Sequence, residues 1–598
     1  MELNGAEIIM GILEREGIET VAGIPGGANL PLYHALAASK VRHVLARHEQ
    51  AAGFIAQGMA RRTGKVAVCF ATSGPGVTNL LTAIADAKLD SVPVVAITGQ
   101  VPRGMLGTDA FQEIDTYGLS IPIVKHSVLV KSAAELLVEL PRAFAIARSG
   151  RPGPVVIDVP KDVQTERVAF DIWPEAGARF KTPAPDPRTV EEIVDAIAQA
   201  ERPVIYAGAG CAASAESAEA LASFARYCRI PVTATLLGLG CFPPEDRLWL
   251  GMLGMHGTRK ANAAIGESDL LIAVGSRFDD RATGKLARFA PHARVVHIDI
   301  DEAEIGKLRR PAVGLVADAG EALRALEKAA RNRDGAASSD GGRLWAPRPE
   351  WEARIADRAA TETGPADARS GHPVRFLAEL SDLLSEDAII TTDVGQHQMW
   401  AAQAMKVRRP RSFLTSGGLG TMGFGLPAAI GAALAEPDKR VVCVTGDGSL
   451  LMNIQELATL AELRAKVTVI VMDNAQLGLV RQQQELFYGG RYIASRFEAK
   501  PDFAAIAAGF GVPSVDLDSV GEAGEEAALR AALAAEGPVL VRVAIEAEAN
   551  VYPMVPPGAA NEDAVGDYSG DALADPVGID APAQEESAEI EGTEEQSA

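Results

Sequence analysis

Two short runs in the second half of the chain have the residue types to hold a cation and an anion side by side. Gly446-Asp447-Gly448-Ser449 follows the apolar stretch Val441-Val442-Cys443-Val444, and Asn474 closes a second apolar stretch, Val467-Thr468-Val469-Ile470-Val471 and its continuation to Asp473. Asp447 can offer a carboxylate oxygen and Asn474 an amide oxygen to one hard cation. A backbone carbonyl, two diphosphate oxygens and water would complete an octahedron suited to magnesium. Gly446 and Gly448 let the backbone approach a diphosphate closely, and a helix N-terminus beginning there favours negative charge. Alone, such a triplet is commonly an ordinary turn. The separation of Asp447 from Asn474 leaves room for one crossover helix and the next strand, which puts both at the carboxyl edge of a parallel sheet, where ligands bind.

A third candidate lies far away in the chain. Glu49, in His48-Glu49-Gln50-Ala51-Ala52-Gly53, reads by itself as one more surface carboxylate on a helix. Thr72-Ser73-Gly74-Pro75-Gly76-Val77-Thr78-Asn79 is a glycine-rich turn opening a helix, equally a plain strand-to-helix turn or the wall of a cleft.

The elements that must position these residues alternate helical periodicity with short β-branched runs, so the predicted class is α/β: three successive domains, each a parallel sheet covered by helices. Residues 1–165 form the first, with strands at Val66-Ala67-Val68-Cys69-Phe70 and Val92-Pro93-Val94-Val95-Ala96-Ile97. A Pro-rich, charged linker at 166–190 leads to a second domain at 186–335, with strands at Pro203–Ala207, Leu270–Val274 and Val295-Val296-His297-Ile298. Residues 330–372 lose periodicity and read as a second linker, and 371–548 form the third domain. Three α/β units of similar size suggest duplication. Residues 562–598 are acidic and poor in aromatics, the composition of a disordered tail.

Composition excludes several classes. The net charge is −22, but residues 560–598 hold twelve acids and no Lys or Arg, leaving a mildly acidic body at −10 that argues against nucleic-acid binding. No apolar run reaches membrane-span length, and the N-terminus lacks a signal pattern. Cys69, Cys211, Cys228, Cys241 and Cys443 are scattered without metal-site spacing, which fits a reducing, cytoplasmic setting.

The Gly-Asp-Gly with its downstream Asn, together with Glu49, resembles the cofactor site of thiamine-diphosphate enzymes. Further segments narrow the resemblance to catalytic large subunits of acetohydroxyacid (acetolactate) synthases. These are Gly23-Ile24-Pro25-Gly26-Gly27-Ala28, Gly107-Thr108-Asp109-Ala110-Phe111-Gln112-Glu113, Gly254-Met255-His256-Gly257-Thr258 and Arg277-Phe278-Asp279-Asp280-Arg281. Thr392-Asp393-Val394-Gly395-Gln396-His397-Gln398-Met399-Trp400 and Gly418-Leu419-Gly420-Thr421-Met422-Gly423-Phe424-Gly425 extend it, and 551–561 looks like the end of a bacterial isozyme I subunit.

That resemblance implies thiamine diphosphate, Mg2+ and a structural, non-redox FAD. It implies that pyruvate is decarboxylated and condensed with a second pyruvate or with 2-oxobutyrate, an early step toward branched-chain amino acids. Glu49 would bond the aminopyrimidine ring. Gln396 and His397, with Gly420 and the run Gly446, Asp447, Gly448 and Ser449, would hold the diphosphate end, and Asp447, Asn474 and the Gln476 carbonyl the metal. Met422 would sit under the bent cofactor as an apolar wedge, although a Met filling a core gap is the commoner use of that residue. Gln112 would lie near the reacting centre, Gly27 would offer an N–H to developing oxyanion charge, and Phe111 would shape acceptor selectivity. Arg281 would hold the acceptor's carboxylate, the other reading being an ion pair with Asp279 or Asp280. Lys161 would line the substrate channel or stand as a solvated surface lysine. Arg151, Gly208, Gly210, Met255, His256, Gly257, Thr258 and Asp299 would contact FAD. Gln483 stands where many relatives have tryptophan, which predicts weaker preference for 2-oxobutyrate over pyruvate. The resemblance further implies a homodimer or higher homo-oligomer with sites at its interface, and a small regulatory subunit. The rival readings are another thiamine enzyme such as a pyruvate oxidase, or an inactive scaffold paralogue.

Overall fold

The computed structural model describes residues 1–337, 348–362, 364–365 and 368–568. Three six-stranded, all-parallel sheets follow one another along the chain. Their central strands, such as Ala67–Ala71, Val94–Gln100, Leu270–Val274 and Val467–Asp473, are buried at every residue. This explains their unbroken apolar runs: helices cover both faces of each sheet.

The strand orders refine the idea of duplication. Numbering strands within each domain, the first and third sheets share the order 2-1-3-4-6-5. The middle sheet runs 3-2-1-4-5-6, the dinucleotide-binding doubly wound order, with its switch point between Pro203–Ala207 and Leu270–Val274. Two of the three units are therefore topological copies, and the middle one is a different α/β fold.

Six helices matter for the site: α1 (Glu49–Thr63), α2 (Pro75–Leu89), α3 (Gln396–Ala404), α4 (Gly425–Ala435), α5 (Glu456–Leu463) and α6 (Gly478–Phe487). α1 starts on His48, whose Nδ1 accepts the Gln50 N–H at 3.1 Å, and it stops at Gly64 in the left-handed region. Its Ala- and Gly-rich face packs on α4, so that one hydrophobic core runs through the first and third domains. A Cβ on Gly58 would lie 2.2 Å from the Ala428 carbonyl oxygen, and one on Gly431 would lie 2.0 Å from that of Ile55. The contact is reciprocal, as a local two-fold between the copies requires.

The expected boundaries shift where the structure is informative. Glu2–Asn4 pairs antiparallel with Arg167–Ala169, and the Arg15 guanidinium lies 4.8 Å over the Trp173 ring, so the first domain runs past residue 165. The expected linker at 330–372 contains the end of helix Ala319–Ala337 and a second helix, Pro349–Thr361. Trp351 and Ile355 from the latter are buried beside Tyr206 and Phe278. Residues 562–568, expected to begin the tail, pack instead: Arg288 pairs with Glu562 and Asp563, and Tyr568 is buried among third-domain apolar side chains. The rest of the expected tail, 569–598, lies outside the described residues.

Candidate active site

Strand Val441–Gly446 ends in Asp447, and strand Val467–Asp473, its neighbour, ends next to Asn474. Asp447 Oδ2 and Asn474 Oδ1 each accept the same Gln476 N–H, both at 3.2 Å, so the two oxygens converge on one point. Burial first, and then nearby Asp473, pushes the Asp447 carboxyl up to about 7. A cation there would restore its charge. Among the described residues no group of three or more His, Cys, Asp or Glu side chains is arranged to hold a metal ion.

His397, in the first turn of α3, is buried with its Nε2 unpartnered, and burial holds its imidazole down to about 3, hence neutral. Side chains at Gly395 and Gly446 would come within 2.9 and 2.8 Å of that ring. A buried ring nitrogen without a partner, in the first turn of a helix and against the end of the Val441–Gly446 strand, is what a diphosphate would satisfy. Gln396 departs from its expected role. Both hydrogens of its amide are used within the protein, on Gln482 Oε1 (3.0 Å) and the Ala549 carbonyl (2.8 Å), leaving only its backbone N–H for an anion. The Ser449 hydroxyl is likewise engaged, donating to the Val394 carbonyl at 2.6 Å.

The other half gathers around the Thr72–Asn79 turn. Glu49 Oε2 accepts from Asn79 Nδ2 at 3.0 Å, and Oε1 lies 3.6 Å from where a Gly76 Cβ would stand. Gln112, at φ 61°, packs over Gly74, whose Cβ would sit 2.9 Å from that of Gln112. Gly26 abuts Thr72, while nothing lies within 4 Å of a Cβ on Gly27, so its backbone is open. Glu49, Gln112 and Gly27 therefore share one corner. The residue offset that carries Gly58 onto Gly431 and Ile55 onto Ala428 also carries Val94–Gln100 onto Val467–Asp473 and Glu49 onto Met422. The acid and the expected wedge occupy equivalent positions in the two copies. Met422 is half-buried in the loop before α4 and belongs to no hydrophobic core cluster, which sets aside the gap-filler reading.

A third region is a cleft of about 870 Å3 between all three domains, lined among others by Arg151, Gly208, Gly210, Met255, Arg281, Gly420 and Gln483.

The chain matches three family models: the thiamine pyrophosphate enzyme N-terminal TPP binding domain over residues 3–119, the central domain over 190–326 and the C-terminal TPP binding domain over 393–543. It is 50% identical over 567 residues to the acetolactate synthase isozyme 1 large subunit of Escherichia coli K12, covering 94% of this chain and 98% of that protein. It is 48% identical over 581 residues to the acetolactate synthase large subunit of Parasynechococcus marenigrum, covering 94% and 91%. Acetolactate synthase 1 of Nicotiana tabacum chloroplasts is 43% identical over 591 residues, covering 95% and 85%. The chain belongs to the acetolactate synthase large-subunit family of thiamine pyrophosphate enzymes.

Against that family's expected site, the cleft residues divide. Arg281 makes a loose 3.7 Å contact with Asp280, both well exposed, and its Nη1 lies 3.8 Å from Met255 Sδ, so most of its guanidinium remains open to the cleft. Asp279 is not its partner; that side chain caps the helix Asp280–Thr283. Gln483 faces the cleft from α6, while its neighbour Gln482 is fully buried. At the switch point of the middle sheet, Gly208 and Gly210 touch the backbone of Gly275, a contact no side chain would allow. Asp299 ends a strand there, its carboxyl pushed up to about 6 by burial. Arg151 lines the same cleft but is bound to Glu304 at 2.6 Å and to Ser91 Oγ at 2.8 Å. His256, held down to about 4 by burial, reaches the Pro553 carbonyl with Nδ1. Thr258 caps the helix Arg259–Glu267, and Gly257 fits against the Leu253 backbone, so both shape the loop rather than line the cleft. Lys161 and Phe111 are exposed (Phe111 at 87%), and neither lines this cleft within one chain.

Sequence reasoning missed Asp393 as a working residue. Its carboxylate accepts N–H groups from Val394, Gly423 and Gly425 at 2.8–3.0 Å, fixing the turn that carries Met422. Only its place after a strand, ahead of a glycine, hinted at this.

Proposed function

We propose that this chain is the catalytic subunit of an acetolactate synthase that decarboxylates one pyruvate and condenses the remaining two-carbon unit with a second pyruvate or with 2-oxobutyrate, releasing carbon dioxide. The observation that carries the reading is the near full-length match to acetolactate synthases, together with Glu49, Gln112, Arg281, Asp447 and Asn474 in the motifs that carry the resemblance. Thiamine diphosphate supplies the electron sink for decarboxylation when bound. Asp447 and Asn474, with the Gln476 backbone carbonyl, would hold Mg2+ against the diphosphate; the convergence of the two side-chain oxygens supports this. Buried, unpartnered His397 Nε2 and the first-turn N–H groups of α3 would bind the phosphate oxygens.

Glu49 holds a proton at the cofactor's ring nitrogen, and the open Gly27 N–H stabilises oxyanion charge. Arg281 orients the acceptor by its carboxylate, since a guanidinium fork matches that geometry. FAD in the large cleft is supported by the strand order of the middle sheet and by the backbone contact of Gly208 and Gly210 with Gly275. A homodimer that brings Glu49 of one copy to Asp447 of another is supported by Glu49 facing Asn79 within its own chain, and by exposed Phe111, Leu30 and Ile121 on the first domain. The relatives' designation as large subunits supports a small regulatory partner. A cytoplasmic setting is supported by five buried, unpaired cysteines. Among the described residues no helix is long and apolar enough to cross a membrane.

The test is to incubate the purified chain with pyruvate, thiamine diphosphate, Mg2+ and FAD, measuring acetolactate beside oxygen uptake, with Glu49→Gln as control. Acetolactate without oxygen consumption, lost in the variant, is the expected result. Oxygen uptake would reassign the chain to an oxidase.

A further inference from the structure

Glu49 and Met422, equivalent in the two domain copies, are each preceded by a loop that is gripped by carboxylates from the other copy. On the third-domain side, Asp90 at the end of α2 accepts the Gly417 and Gly418 N–H groups at 3.0 and 2.7 Å. Asp86, one turn earlier, accepts the Ser416 hydroxyl and, at 3.1 Å, the Thr421 hydroxyl. Arg61 of α1 bridges the two acids at 3.0 and 2.8 Å and donates to the Thr415 carbonyl. The two carboxylates are wholly buried and the guanidinium nearly so.

On the first-domain side a single carboxylate from the third domain grips the loop, from a position not equivalent to Asp86 or Asp90. Buried Glu456, in the first turn of α5, accepts the Arg47 N–H at 2.8 Å, two residues ahead of Glu49. Asn453 Nδ2 then ties the halves together, donating to Gln50 Oε1 at 3.2 Å and to the Gly423 carbonyl at 2.8 Å.

Buried carboxylates are expensive unless fully hydrogen-bonded, and apolar packing would join two domains at lower cost. Here every oxygen of Asp86 and Asp90 has a partner, and most of those partners are on residues 415–421. Met422 is thus flanked by Thr421, tied to Asp86, and by Gly423, tied to Asp393. We propose that Asp86 and Asp90, and reciprocally Glu456, are positioning residues: each domain copy fixes, across the α1–α4 contact, the loop that presents the other copy's working side chain, Met422 or Glu49. The proposal rests on the functional reading for what Met422 and Glu49 do, but not for the clamp itself.

Two measurements on the full-length chain test it. In the cofactor-free protein, amide hydrogen exchange of the peptide covering 415–424 should quicken by more than tenfold in Asp90→Asn, while α4 itself, 425–435, keeps its protection; Glu456→Gln should do the same for 45–50. Unchanged exchange, or equal loss throughout α4, overturns the clamp whether or not the chain makes acetolactate. In the active enzyme, Asp86→Asn should lower kcat about tenfold with KM for pyruvate within about twofold. Combined with Met422→Ala, it should cost little beyond Met422→Ala alone, because both act through one side chain. Multiplying losses would show that Asp86 acts elsewhere. If Asp86→Asn fails to fold, Ser416→Ala and Thr421→Val remove the same bonds from the loop side and are held to the same two criteria. A wild-type chain that makes no acetolactate refutes the functional reading, and the exchange result then judges the clamp alone.

Discussion

Replacing Gly58 by alanine tests whether the two domain copies must touch backbone to backbone. The new Cβ would stand 2.2 Å from the Ala428 oxygen and 2.9 Å from its carbonyl carbon. Neither atom belongs to a side chain that could turn away, so α1 and α4 must part by about 1 Å, which forfeits a quarter to a half of each dispersion contact along the seam. Overpacking of this kind costs about 3 kcal/mol at the upper end of its range. Alanine's better helix propensity returns about 1 kcal/mol. The net loss of about 2 kcal/mol corresponds to a fall in Tm of roughly 4–8 °C for a domain of this size. Since α1 begins at Glu49 and α4 follows Met422, kcat should fall by up to about 100-fold from misplacement alone. Thermal melts and acetolactate assays of Gly58→Ala should be run beside Gly509→Ala, a helix-end glycine whose Cβ would meet nothing within 4 Å. The control should be neutral or gain up to about 1 kcal/mol. If Gly58→Ala melts with the control and keeps its kcat, the close approach does not constrain the site.

Three further outcomes are expected. Burial raises the Asp393 carboxyl from 3.8 to about 6, so the folded chain binds more protons than the unfolded one across that window, and stability falls as pH rises through it. The cost, about 3 kcal/mol once pH exceeds 6, should appear as a Tm that declines relative to Asp393→Asn between those values and runs parallel above them. A difference that is flat with pH would mean the carboxyl is not penalised by burial. Gln483→Trp should raise the preference for 2-oxobutyrate over pyruvate about tenfold in a competition assay, within the 1–3 kcal/mol that one methylene is worth in an apolar pocket; an unchanged product ratio would remove residue 483 from the acceptor site. His397→Leu removes a buried Nε2 that lacks a partner and, with it, only the ring's bond to the Asp393 backbone, so it should lower the cofactor-free Tm only slightly. The same variant should weaken thiamine diphosphate binding about tenfold in a fluorescence titration, and a large drop in the cofactor-free Tm would show that the imidazole is structural.

Much of this protein is legible without coordinates, for a physical reason. Fully buried parallel strands must be continuous apolar runs, so Val441–Gly446 and Val467–Asp473 announce themselves, and polar residues at their carboxyl ends can only be turns or ligands. Asp447, Asn474 and Glu49 were therefore visible as residue types in position, and their long flanking motifs carried the family.

What distance along the chain hides is partnership. Gln482, Gln483 and Gln484 are chemically identical and consecutive, yet helix rotation buries the first against Gln396, Val551 and Met554, turns the second to the cleft and ties the third to Ile493 and Ser495. Helical and polar residues around 349–361 read as linker because Trp351 and Ile355 have no periodic company until the middle domain supplies a surface for them. Asp86, Asp90 and Glu456 look like ordinary helix acids, since their loop-side partners lie more than three hundred residues away. Residue type and local period are written in the chain; which buried charge answers which backbone N–H is decided only when α1 and α4 close on each other.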